Sequence, residues 1–79
     1  MIGFQIYLLF CEYKNGDKQL QTPHATFDGA HEHMEQIKSY WRDEKGCQVN
    51  EGLNGTLEVL TPFGEFFRKY YVVTRTIEK

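Results

Sequence analysis

Two stretches of this sequence, FQIYLLFCEY at Phe4–Tyr13 and FFRKYYVVTR at Phe66–Arg75, carry bulky apolar side chains at both odd and even positions. Successive residues of a strand point to opposite faces, so a sheet built from these runs has two greasy sides. Elsewhere the chain offers one amphipathic stripe, Phe27, Ala30, Met34, Ile37 and Trp41, at helical spacing. A single helix covers one side of a sheet. Two-sided strands combined with one helix constrain the fold more than any motif, and no motif here names a function.

The order of elements reads from local signals. Residues 2–13 alternate, with Ile2, Phe4, Ile6, Leu8 and Phe10 on one face and Gln5, Tyr7, Leu9, Cys11 and Tyr13 on the other. Asn15-Gly16 then marks a hairpin. A three-residue loop, Lys14 to Gly16, pairs Phe10 with Leu20 and Glu12 with Lys18, joining two apolar residues and two opposite charges. A two-residue loop would instead set Phe10 opposite Gln21. The short polar strand Lys18–Thr22 has the profile of an edge and is expected to end at Pro23. Thr26 caps a helix expected over residues 27–44, with Gly46 as its stop. The stretch GCQVNEGLNGT, rich in glycine and including Asn54, reads as a loop. A last hairpin runs Leu57–Thr61, turns at Pro62-Phe63-Gly64, and returns from Glu65 to Ile77. The expected architecture is α+β, in the order β-β-α-β-β. It is one domain over residues 1–79, with a four-stranded antiparallel sheet in the order 2-1-4-3 and the helix on one face.

Size and charge exclude several classes. A chain of 79 residues buries only roughly 60–65% of the surface it exposes when unfolded, which leaves little room for a deep active-site cavity. A net charge of −2 argues against broad nonspecific DNA binding, which rests on neutralising many phosphates. Two cysteines, Cys11 and Cys47, do not make a disulfide framework. They are expected to be reduced, in keeping with a cytoplasmic protein. The apolar N-terminal segment lacks a charged leader and reads as a strand, and no run approaches the ~20 apolar residues that span a bilayer.

Reactive groups are sparse. His31 and His33 stand two apart on the expected helix and diverge by roughly 200° about its axis. His24 precedes the helix, and H-E-x-x-H spacing is absent. Cys47 lacks an identifiable base and a third orienting group. The expectation is therefore a non-enzymatic protein with no catalytic residues, no metal site, no cofactor and no small-molecule substrate.

With the helix stripe laid over Phe4, Ile6, Leu8, Phe10, Leu57, Val59, Phe67, Tyr71 and Val73, the other face shows Tyr7, Leu9, Cys11, Leu60, Phe66, Tyr70 and Val72, with Arg68 among them. Large uncovered apolar patches mark interaction surfaces, and Tyr, Phe and Arg are enriched in them. Tyr7, Leu9, Leu60, Phe66, Arg68, Tyr70 and Val72 are thus the expected partner contacts. The partner is a protein, either a larger complex or a second copy in a homodimer. It docks on this face or adds a strand to an exposed edge. Alternatively, Phe66, Arg68, Tyr70 and Val72, with Lys69 and Arg75 alongside, form a platform for single-stranded nucleic acid, although the full RNP signature is absent. In size and composition the chain resembles small phage-encoded inhibitors, such as anti-CRISPR proteins and inhibitors of bacterial RNA polymerase. No specific residues carry that resemblance. It implies a protein that works by occupying a surface on a larger host machine.

Overall fold

The computed structural model describes residues 3–52 and 55–77; Ile2 and Asn54, assigned above to a strand face and a loop, lie outside them. The described chain is α+β, with one antiparallel sheet and one helix. Strand β1 is Phe4–Tyr13 and β2 is Lys18–His24; helix α1 is Phe27–Ser39, continued by a π-helical segment, Tyr40–Glu44. Strands β3 (Gln48–Glu51), β4 (Leu57–Leu60) and β5 (Phe66–Ile77) complete it.

The sheet has five strands, not four, in the order β2-β1-β5-β4-β3 rather than the expected 2-1-4-3. The extra strand comes from the stretch read as a loop. Gln48–Glu51 is too short and polar to show a period-two signal, yet Val49 sits opposite Val59 and packs against the core. Lys38 of α1 reaches across to Glu51 and ties this edge strand to the helix.

Both hairpins close as their turn residues dictate. Gly16 takes φ 93 and Gly64 φ 89, the left-handed conformation that costs glycine nothing. The first hairpin pairs Phe10 with Leu20 and Glu12 with Lys18, the register expected of a three-residue loop. Beyond it the pairing slips, so that Leu9 meets Thr22 and Gln21 is the extra residue of a β-bulge. Strand β2 then continues through Pro23, whose missing N–H is tolerated because β2 is an edge. In the second hairpin Leu60 pairs with Phe66, but Val59 pairs with Arg68 and Glu58 with Lys69. Phe67 is accommodated in a second bulge, whereas an unbulged hairpin continued from Leu60–Phe66 would pair Val59 with Phe67 and Glu58 with Arg68, the register its opposite charges lead one to expect.

Helix α1 starts where Thr26 accepts a hydrogen bond from the Gly29 N–H at 3.0 Å. It buries Ala30 and Met34 and brings Ile37 and Trp41 against the core. Regular α-helix ends at Ser39 rather than near Glu44; the following wider turn closes with the Cys47 N–H donating to the Trp41 carbonyl. That turn presents the Trp41 ring to the sheet.

The helix lies on the face opposite to the one expected. Its core partners are Leu9, Cys11, Leu57, Val59 and Tyr70, all buried. Leu57 and Val59 were expected beneath the helix and are there; Phe4, Ile6, Leu8, Phe10, Tyr71 and Val73 were expected there and are not. Phe67 reaches the core because the bulge turns it towards Trp41. Polar tips on this side of the sheet find partners at the margin of the core. The Trp41 indole N–H donates to the Tyr70 hydroxyl at 3.1 Å, and the Tyr13 hydroxyl donates to Gln19 at 2.7 Å. Burial raises the Tyr70 hydroxyl above the ordinary phenol range, partly offset by hydrogen bonds from Arg68 and Trp41. Burial also raises the Cys11 thiol.

Candidate binding face

The side of the sheet away from α1 is built from the even positions of β1 and the odd positions of β5. Phe10 pairs with Tyr71, Leu8 with Val73, Ile6 with Arg75 and Phe4 with Ile77. Leu20 extends the patch from Phe10 and Pro23 from Leu8. The Phe10 and Tyr71 rings stack at 5.7 Å with an interplanar angle of 16°. Among the described residues none of this group joins the buried core. Phe4, Leu20 and Ile77 keep 48%, 45% and 40% of their surface exposed, values far above what a core position tolerates. Side-by-side neighbours shield the central residues laterally, but no element of the described chain lies over them.

One complete cross-strand row on this face is charged, in addition to Arg75 opposite Ile6. Lys18 stands opposite Glu12, Glu12 opposite Lys69, and Lys69 opposite Glu58. The row alternates in sign across β2, β1, β5 and β4, and separates the apolar field from Leu60 and Phe66 beyond it.

Of the seven expected contacts, Leu60 and Phe66 lie on this uncovered face. Tyr7, Leu9, Arg68, Tyr70 and Val72 lie on the helix side. Leu9 and Tyr70 are buried, Val72 packs on the core, and Tyr7 meets Phe27 edge-on at 5.9 Å. The Arg68 guanidinium sits 5.0, 5.1 and 4.8 Å from the ring centroids of Tyr13, Trp41 and Phe67. Such a cage holds a cation by its attraction to the ring faces, and here Nε is buried without a hydrogen-bond partner. Arg68 is thus half-buried among aromatic rings on the helix side rather than presented from the uncovered face. The residues the sequence reading missed, Phe4, Ile6, Leu8, Phe10, Tyr71 and Val73, carried the same apolar signal but were assigned to the wrong side.

The histidines part company as helical spacing requires. His31 meets Glu35 at 3.8 Å on the exposed helix surface. His33 turns to the sheet, where its Nδ1 lies 3.2 Å from His24 Nε2; Thr22 Oγ1 contacts both rings, at 2.8 and 2.9 Å. The three groups tie α1 to edge strand β2. Burial, followed by the neighbouring His24, lowers the His33 pKa. Among the described residues no group of three His, Cys, Asp or Glu side chains is arranged to hold a metal ion. No described helix is long and apolar enough to cross a membrane. Cys11 and Cys47 are free thiols.

No protein family, curated protein or solved structure matches this chain.

Proposed function

We propose that this protein is a non-enzymatic protein-binding module whose working surface is the uncovered β2-β1-β5 face. The observation that supports it is the contiguous field of Phe4, Ile6, Leu8, Phe10, Leu20, Tyr71, Val73 and Ile77, with three members 40% exposed or more. An antiparallel sheet that faces water normally reads polar on that side. Burying such a field against a partner releases its hydration cost, which is the largest favourable term in protein association. Phe66 and Leu60 extend the surface past the charged row, and Tyr71 and Phe10 are the aromatic anchors at its centre. A chain of 79 residues that spends one sheet face on binding fits the expected mode of action, occupying a surface of a protein complex. The alternative, a platform for single-stranded nucleic acid, loses Arg68 and Tyr70 to the helix side.

Crosslinking from a cell lysate, run in parallel with the parent and with Phe10→Ser, tests the reading. The serine variant is first checked for a parental circular dichroism spectrum. Proteins captured by the parent should be lost from the variant. An unchanged set of captured proteins removes this face as the working surface.

A further inference from the structure

We infer that the occupant of the uncovered face is a second copy of this chain, related by a two-fold axis that runs parallel to the strands along the β1/β5 seam. The inference rests on the reading of that face as a docking surface and names what docks there. Its basis is the polar row. Lys18, Glu12, Lys69 and Glu58 follow one another across β2, β1, β5 and β4 as plus, minus, plus, minus. An alternating row with an even number of members is its own complement when turned over about its midpoint. The midpoint here falls between Glu12 and Lys69, on the β1/β5 seam. The rotation sets Lys18 over Glu58 of the second copy and Glu12 over Lys69, each twice. Isologous interfaces require this kind of self-complementarity.

The same axis lays β1 of one copy over β5 of the other. Phe10 then faces Tyr71, Leu8 faces Val73, Ile6 faces Arg75 and Phe4 faces Ile77, the residues that already pair within each sheet; Arg75 is exposed and stands where β4 no longer flanks β5, so its guanidinium reaches water past that edge. A two-fold axis perpendicular to the strands fails, because it carries the charged row onto the apolar Phe4–Ile77 end and strands its charges against hydrocarbon. Two sheets meeting in this way form an aligned sandwich about 10 Å thick, with strands crossing at roughly 30°. The strands β1, β5, β2 and β4 have ten, twelve, seven and four residues; at ~4.8 Å spacing and ~3.4 Å rise they give a flat footprint of roughly 540 Å². A standard stable interface removes about 800 Å² of accessible surface per partner, so this face is at the small end of the range and the pairing is expected to be a weak one.

The test uses two association-defective variants that rescue each other. In Glu12→Lys homodimers, lysine faces Lys69 of the other copy twice; in Lys69→Glu homodimers, glutamate faces Glu12 twice. Each should weaken self-association about tenfold. In a mixture, residue 12 of one variant meets residue 69 of the other with opposite charge at both contacts. Association in sedimentation of a labelled variant with its unlabelled complement should return to within about threefold of the parent. No in-sheet repair occurs on mixing, since each chain keeps its own like-charged neighbours, so recovery reports the interface alone. If either variant fails to fold, Lys18→Glu and Glu58→Lys make the same test with residues that are not neighbours within a sheet. A parent that sediments as a monomer throughout, or a mixture that stays dissociated, overturns the inference. If the parent is monomeric while its capture of other proteins still depends on Phe10, the docking reading survives with a different occupant. If neither behaviour appears, both fall.

Discussion

Adjacent leucines of β1 report which side of the sheet is the core. Leu9 is fully buried, in the cluster that includes Met34, Val59 and Tyr70. Leu8 lies on the uncovered face, flanked laterally by Pro23 and Val73. Leu9→Ala removes three buried carbons and leaves a cavity bounded by β4 and the helix, for a cost of about 3 kcal/mol within the 2–5 range for such changes. A domain of 79 residues has a total stability of about 4–12 kcal/mol, so that loss is a large share of it. At roughly 4–8 °C per kcal/mol for a domain of this size, the midpoint should fall by about 12–24 °C. Leu8→Ala removes the same atoms from a site that is already partly wet and opens no closed cavity, for about 1 kcal/mol and ~4–8 °C. Thermal unfolding followed by circular dichroism decides between them. It must be run at the lowest workable protein concentration, because self-association adds apparent stability by mass action. Equal losses, or a larger loss for Leu8→Ala, would refute the assignment of the two faces. At high concentration the order should narrow, since Leu8 then gains a partner.

Three further outcomes follow from local geometry. Trp41→Phe keeps one aromatic ring but removes the pyrrole ring with its N–H donor to Tyr70, and should cost about 2–3 kcal/mol from the lost bond and the lost packing together; Tyr70→Phe in the Trp41→Phe background should add less than it does alone, measured by urea unfolding. His33 has a folded pKa below its ordinary value, chiefly from burial and secondly from His24, so its neutral form is favoured in the fold. Stability is then fully present above the unfolded pKa of about 6.5 and falls as pH drops through and below it; His33→Gln should flatten that limb in a pH series of unfolding midpoints. Gly64→Ala forces a side chain to φ 89 and should cost about 1 kcal/mol with no effect on association, read by the same unfolding assay and by sedimentation.

Much of the fold was legible because several local signals agreed. Asn15-Gly16 together with the Glu12–Lys18 match selected the first hairpin's register, and Thr26 with the Phe27–Trp41 stripe located the helix. The bulges at Gln21 and Phe67 were not legible. A bulge adds one residue without leaving a compositional mark, and its effect is to turn the next side chains onto the other face. Phe67 shows the consequence, since it belongs to the core by virtue of the bulge and not by strict alternation. Strand β3 was hidden for a different reason. Four residues with a single apolar member, Val49, give no periodicity to read; they become a strand because β4 offers an open ladder beside them.

The inverted face traces to the same missing strand. Strands β2 and β3 point in the same direction on opposite edges of the sheet, so α1 is a crossover between parallel strands. Such crossovers are right-handed in nearly all cases. Combined with the hairpin register, that handedness selects which side of β1 lies under the helix. With the chain read as four strands, the rule had no second parallel strand to act on, and the choice fell to apolar count, which the two faces nearly share. Polar tips break the tie physically. Tyr70, Tyr13 and Arg68 contribute ring or stem to a core while their donors and acceptors find Trp41, Gln19 and the surrounding aromatic faces. The side chains of Phe4, Ile6, Leu8 and Phe10 have no polar atom to satisfy, so a surface that arrives from outside buries them without having to supply a polar partner. A face that is mostly hydrocarbon, with a self-cancelling row of charges across one end, is suited to burial against its own copy, where that row finds its complement.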